Sequence, residues 1–207
     1  DLAIGAGEVV GLVGESGCGK STLGRIVARI LEPSEGERRW MGRPYADYES
    51  QGSRSERLAV QMVFQDPFAS LNPRMRIVDV IGEAPVVHGL VAPRERETYV
   101  AQVMERVGLD ASLARRFPHQ FSGGQRSRIG IARALAVKPR FLVCDEAVAA
   151  LDVSIQAQVL NLFIRLREEF GLTYLFISHD LGVVRHLSDR VVIMYLGRIV
   201  ESASTEE

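Results

Sequence analysis

The run Gly14-Glu15-Ser16-Gly17-Cys18-Gly19-Lys20-Ser21 constrains this chain more than any other feature. Before it, residues 8–13 form a short β-branched, glycine-bounded run that reads as a buried parallel strand. After it, Leu23, Ile26, Val27 and Ile30 recur at helical spacing over residues 21–31. Strand, glycine loop and helix in that order fit G-x-x-x-x-G-K-[ST] in the context the pattern requires. Glycines allow successive backbone N–H groups to converge on phosphate oxygens with no Cβ in the way, and the helix start adds a favourable dipole. Of the 25 basic residues only Lys20 and Lys138 are lysines. A lysine kept at position 20 suits a point charge on a flexible stem reaching β and γ phosphates, and Ser21 can ligate Mg²⁺. The plain alternative is a glycine-rich turn.

Composition narrows the remaining choices. At 207 residues, 46% hydrophobic and 25% charged, the chain is expected to be an ordinary globular protein of one domain with room for an inserted lobe. Its longest apolar stretches, 9–13 and 191–196, are strand-sized, well short of the roughly 18 residues that span a bilayer, so no membrane crossing is expected. A net charge of −1 argues against a nucleic-acid partner, so phosphate recognition should be local. Two cysteines, Cys18 and Cys144, make neither a disulfide framework nor a metal spacing; with no signal peptide apparent, a reducing cytoplasmic setting is expected.

Along the chain, strands are predicted at 38–41 and 58–64, with a polar, turn-rich stretch at 47–57 between them. Prolines at 67, 73, 85, 93 and 118 punctuate helical patterns such as 95–107, so 67–118 is predicted to be a helical lobe inserted between core segments 1–66 and 119–207. A helix from Gly123-Gly124 to Ala136, strand 141–145, helix 154–170, strand 173–178 and strand 190–195 follow. Strands alternating with helices predict an α/β fold, a mainly parallel sheet covered on both faces.

Several predicted strands end in polar side chains, and the carboxyl edge of an open α/β sheet is where ligands bind. The apolar strand 141–145 runs into Asp145 and Glu146. Asp145 would hold Mg²⁺ and Glu146 would orient or deprotonate a water; alone, the pair also reads as an acidic helix cap. His179 follows the next strand, so a right-handed crossover would bring Glu146 and His179 to one edge if the two strands are neighbours, although a lone His-Asp pair reads as a solvated turn. Gln65 follows the strand 58–64, where a neutral amide can bind water or metal. Ser122 with Gly123, Gly124 and Gln125 opens a helix, a second potential phosphate cradle or an ordinary cap.

Gly14 to Ser21, Gln65, Ser122-Gly123-Gly124-Gln125, Asp145-Glu146, Ala150-Leu151-Asp152 and His179, in that order, resemble the nucleotide-binding domain of ABC transporters. The resemblance covers essentially the whole chain, and Ser-Gly-Gly-Gln separates this family from other P-loop proteins. The stretches 61–74 and 150–158 are similar to ATPase subunits of bacterial oligopeptide, dipeptide, nickel and glutathione importers. The resemblance implies a P-loop NTPase core that binds ATP and Mg²⁺ and hydrolyses ATP. Residues 14–22 (Gly14 through Lys20, Ser21 and Thr22), Ser122 to Gln125 and Asp152 would contact nucleotide. Ser21, Gln65 and Asp145 would serve the metal, and Glu146, His179 and Gln65 catalysis. It further implies a head-to-tail pair with a second such domain, identical or different, each Ser-Gly-Gly-Gln serving the partner's ATP. Permease subunits would meet the helical lobe at the cytoplasmic face of the inner membrane, with a periplasmic or extracellular binding protein supplying peptide or a related solute. The sequence departs from the family in having Ala147-Val148-Ala149 where Pro-Thr-Ser is usual, and Phe121 for leucine. The family's adenine-stacking aromatic is missing, and a fragment of a longer subunit is expected. Two alternatives stay open: an ABC ATPase without a transport role, and a regulatory domain that binds ATP without turnover.

Overall fold

The computed structural model describes residues 1–66 and 69–205, without the side chains of 49–51. In chain order the elements are β1 (Val9–Gly14), α1 (Lys20–Val27), β2 (Arg39–Trp40), β3 (Arg43–Pro44), α2 (Tyr45–Gln51), α3 (Arg54–Arg57), β4 (Val60–Val63), α4 (Ile77–Val87), α5 (Arg96–Arg106), α6 (Gly123–Leu135), β5 (Phe141–Asp145), α7 (Val153–Phe170), β6 (Thr173–Ile177), α8 (Leu181–Leu187), β7 (Arg190–Tyr195) and β8 (Arg198–Ser204). They group into two compact units: Asp1–Met62 with Pro139–Glu146 and Arg167–Glu207, and Val63–Lys138 with Ala147–Leu166.

The first unit is built on a six-stranded sheet of order β4-β5-β6-β1-β7-β8. β1 pairs in parallel with β6 and β7, and β5 with β6, whereas β7 and β8 are antiparallel. Alternation sends Val10, Leu12, Val143, Leu175, Ile177, Val192 and Met194 into one core, covered by Leu23 and Val27 of α1 and by Trp40. Each such buried side chain stabilises the fold by about 1.5–3 kcal/mol relative to exposure. α1 lies so close to the sheet that a Cβ on Gly24 would come 2.7 Å from Ile177 Cδ1. On β1, a Cβ at Gly11 would meet Val184 Cγ1 of α8 at 2.0 Å, so glycine is what lets that helix seat.

Three features differ from the sequence expectations. The stretch 47–57 is helical: Tyr45 and Tyr48 are buried at i, i+3, and Ser53 and Glu56 form a reciprocal capping box for α3. α8 was not expected, yet Asp180 accepts hydrogen bonds from the Gly182 and Val183 N–H groups while Val183, Val184 and Leu187 are buried. β8 was also not expected, because its residues are mostly exposed and it therefore lacks the apolar alternation that marks a strand, although it pairs with β7 across a two-residue turn.

The second unit is helical, comprising α4, α5, α6 and most of α7. Tyr99 Oη of α5 donates to the Ala136 carbonyl at 2.7 Å, and Arg128 Nη1 of α6 to the Val107 carbonyl at 2.7 Å, so long polar side chains close the turn carbonyls over an apolar interior of Ile77, Ile81, Met104 and Ile129. Among the described residues no helix is long and apolar enough to cross a membrane.

Candidate functional site

In the first unit the glycine loop joins the end of β1 to the start of α1. Gly14, Gly17 and Gly19 have φ of 154°, 79° and 105°, a region L side chains rarely adopt. A Cβ on Gly14 would also sit 2.1 Å from the Met194 carbonyl oxygen, whereas nothing lies within 4 Å of one on Gly17. Gly14 therefore fits the loop to the sheet, and Gly17 keeps its outer side open. Gly19 caps α1 in a left-handed conformation, with no side chain accepting from the first turn and no acidic residue there. The first-turn N–H groups thus form a positive helix end suited to an anion. Lys20 is 6% exposed, and its ammonium donates to the Gly14 and Glu15 carbonyls, both at 2.8 Å. Those carbonyls hold the charge at the loop's mouth.

Ser21 Oγ donates to Asp145 Oδ1 at 2.9 Å, linking the loop to the carboxyl end of β5. Burial pushes the Asp145 carboxyl above its ordinary value; the Ser21 hydrogen bond opposes this, Glu146 adds to it, and Arg25 and Lys20 oppose it. A hydroxyl beside a carboxylate is a hard-oxygen pair of the kind that takes Mg²⁺ together with substrate phosphate oxygens. No group of three or more His, Cys, Asp or Glu that could hold a metal occurs among the described residues.

β5 and β6 are neighbours with Asp145 opposite Ile177, and Glu146 N–H donates to the Ile177 carbonyl at 2.9 Å. Glu146 Oε1 and His179 Nδ1 then lie 3.3 Å apart, so the convergence expected from the crossover is present. Glu146 has φ of 47°, a left-handed conformation that costs a non-glycine residue about 1–2 kcal/mol. Its side chain is 19% exposed and that of His179 63%, so the carboxylate is sheltered and the imidazole faces outward.

Gln65, Asp152 and Ser122 to Gln125 belong to the second unit. Gln65 comes two positions after β4, and Asp152 immediately precedes α7, its carbonyl accepting from Gln156 N–H at 2.8 Å. Ser122 caps α6 in a capping box: its hydroxyl accepts from Gln125 N–H at 3.3 Å, and its own N–H donates to Gln125 Oε1 at 2.9 Å. The two glycines between them differ. A Cβ on Gly123 would first meet Leu151 Cδ2 at 4.0 Å, whereas one on Gly124 would come 2.5 Å from Ile155 Cγ2 of α7. Gly124 is thus required by packing, and Gly123 leaves the helix start open. Buried Ser127 on the same helix donates to the Ala147 carbonyl at 3.5 Å, tying α6 to the Ala147-Val148-Ala149 departure, whose first two side chains are also buried.

Sequence reasoning missed the support that the β7–β8 turn gives to the loop. Gly197 N–H donates to the Cys18 carbonyl at 3.0 Å, and Met194 packs against Gly14 and Gly19. The one available signal was a glycine between two β-branched runs.

The ABC transporter family model matches residues 1–149. Over 202 residues the chain is 55% identical to the oligopeptide transport ATP-binding protein AppF of Bacillus subtilis (strain 168), covering 97% of this chain and 61% of that protein. It is 49% identical over 201 residues to the dipeptide transport ATP-binding protein DppF of Haemophilus influenzae, covering 97% and 62%. The chain therefore spans roughly three-fifths of the length of these curated relatives. Among solved structures, the dimeric MJ0796, a bacterial ABC transporter cassette, superposes with a TM-score of 0.85 at 28% identity, over 99% of this chain and 88% of that one. The cbiO1 protein of Clostridium perfringens, part of the ABC transporter complex cbiONQ, gives 0.85 at 30% identity, over 99% and 80%. Sheet, loop and relatives agree that the chain has the P-loop NTPase fold of the ABC cassettes and belongs to the ABC transporter family.

Proposed function

We propose that this chain is the ATP-binding and ATP-hydrolysing part of a subunit that powers a bacterial ABC importer of peptides or related small solutes, working at the cytoplasmic face of the inner membrane. The observation that carries the reading is the convergence, on one edge of the sheet, of the uncapped α1 start, the Ser21–Asp145 pair and the Glu146–His179 pair. The names of its relatives, which are oligopeptide and dipeptide transport ATP-binding proteins, supply the solute class.

In this reading the N–H groups of residues 14–22 and the Lys20 ammonium hold the β and γ phosphates. Mg²⁺ held by Ser21 and Asp145, with Gln65, would neutralise charge developing on the phosphates. Glu146 accepts the proton of the attacking water, and His179, across 3.3 Å, keeps that carboxylate oriented. Ser122, with the open N–H groups after it, serves the nucleotide of a second cassette, and Asp152 stands at the same junction. Permease subunits and an external binding protein complete the assembly, with the helical lobe of about 67–118, inserted in a single ATPase domain, meeting the permease.

Glu146→Gln tests the proton acceptor, because the amide keeps size and hydrogen bonding but takes no proton. In the complete assembly, turnover should fall by at least about a hundredfold while Mg-ATP binding persists. Turnover equal to the unmodified protein would remove Glu146 from that role and give it to His179.

A further inference from the structure

Glu146 and His179 meet at 3.3 Å, yet the His179 side chain is 63% exposed. Packing does not hold a ring in that much solvent, and one exposed contact to a carboxylate is a weak tether. What remains to aim the ring is its own backbone, which sets the direction of the Cα–Cβ bond. Only residues 178–180 separate the end of β6 from the start of α8, so the stretch that must do this is short.

Both neighbours of His179 are tied down. Ser178 N–H donates to the Leu12 carbonyl of β1 at 3.2 Å, carrying the sheet pairing one residue beyond β6. The Ser178 hydroxyl accepts from Asp180 N–H at 3.0 Å, closing a turn around His179. The Asp180 carboxylate accepts from the Gly182 and Val183 N–H groups at 2.8 and 3.3 Å, so α8 begins at once. Ser178 is 4% exposed, and Leu175, Phe176 and Ile177 before it are buried and apolar. A hydroxyl in that interior costs free energy unless it is hydrogen-bonded, and water is not at hand to replace the bond it makes.

We propose that Ser178 is a positioning residue for ATP hydrolysis: by holding the Asp180 N–H, its hydroxyl fixes the backbone at His179 and so keeps the imidazole on the Glu146 carboxylate. This inference rests on the reading of Glu146 as the proton acceptor oriented by His179, and adds to it the residue that orients His179. A proton acceptor works only when its lone pair faces the attacking water, so loosening His179 lowers the rate of the chemical step. The phosphate cradle of residues 14–22 stands on β1 and α1 and does not depend on that turn, so Mg-ATP binding is spared.

The test is a double-mutant cycle in the complete assembly, with kcat and KM for Mg-ATP read separately. Ser178→Ala should lower kcat about tenfold and leave KM within about twofold, and Ser178→Thr, which keeps the hydroxyl, should recover most of the loss. In a His179→Ala background, Ser178→Ala should cost nothing further. A second readout uses the full chain with isotope-labelled histidine, whose four imidazoles give four sets of ring signals. The nuclear Overhauser contact between the His179 ring and the Glu146 γ protons should vanish in Ser178→Ala. The cycle and the ring contact use alanine alone, so neither depends on whether the buried site seats the extra methyl of threonine. Additive losses, an unchanged kcat, a loss confined to KM, or a ring contact that persists in Ser178→Ala each overturn the proposal and leave the Glu146–His179 reading in place. Turnover in His179→Ala equal to that of the unmodified assembly overturns that reading itself, and the proposal falls with it.

Discussion

Adjacent glycines at 123 and 124 open α6, yet they answer to different demands. A Cβ at 124 would lie 2.5 Å from Ile155 Cγ2, a contact real Cβ atoms do not make, whereas at 123 the nearest atom is 4.0 Å away. Gly124→Ala should therefore lower unfolding free energy by about 1–3 kcal/mol, as overpacking does, and Ile155→Ala should relieve part of that loss in the double variant. Gly123→Ala should stay within about 1 kcal/mol of the unmodified chain. Equal denaturation midpoints for the two alanine variants would show that Gly124 is not a packing glycine. In an activity assay of the proposed role of this helix start, a bulky residue at 124 would therefore also disturb packing against Ile155, whereas one at 123 would not.

At the scale of elements, the entry into β1 is fastened to β7 and β8 by charge. Glu8 accepts from Arg190 Nε at 2.7 Å and from Gly5 N–H at 2.6 Å, and Arg190 also donates to the Ala3 carbonyl and to Ser202 Oγ. The Arg190 hydrogen bond holds the Glu8 carboxyl below its ordinary value of 4.5, against the opposing effect of partial burial. A carboxyl whose pKa is lower in the folded chain than in the unfolded one contributes stability above its unfolded pKa and loses it as pH falls through the folded value. Urea midpoints of the unmodified chain should therefore decline as pH drops below about 4.5, and Glu8→Gln should flatten part of that decline, by no more than about 1 kcal/mol for a pair this near the surface. Identical pH profiles for the two proteins would remove Glu8 from the acid sensitivity of this sheet edge.

For the whole molecule the proposal to be tested is that the Ser122 cradle serves a nucleotide, and that of a second chain. If it serves that of a second chain, Gly123→Asp places a carboxylate at an anion site without disturbing Ile155, so ATP binding to the isolated chain should persist while hydrolysis is lost. Mixing Gly123→Asp chains with Lys20→Ala chains gives mixed pairs with one composite site carrying both lesions and one carrying neither. Hydrolysis should partly return, to about a quarter of the unmodified rate, given random pairing and independent sites. Loss of ATP affinity in isolated Gly123→Asp comparable to that of Lys20→Ala would instead place both elements around one nucleotide within a single chain.

The local chemistry of the site was legible in the residues themselves. A glycine-rich loop between a β-branched run and a helical period, carboxylates after an apolar strand and a serine before a helix are short-range signals, because backbone conformation and capping act over a few positions. The parallel core strands followed for the same reason, being apolar on both faces. Other features were not legible. α8 depends on burial against β1, far away in sequence, β8 is mostly exposed and so carries no alternating apolar pattern although it pairs with the strand just before it, and the helices at 45–57 rest on two tyrosines whose burial no periodicity announces. Whether Glu146 meets His179 was conditional in the sequence, since a crossover does not say which strands become neighbours; only the order β5-β6-β1 decides it. The difference between Gly123 and Gly124, and the pressing of the β7–β8 turn against Cys18, were likewise decided by tertiary structure alone. Steric contact is a property of atoms brought together by the fold, and sequence encodes it only through the packing of the whole chain.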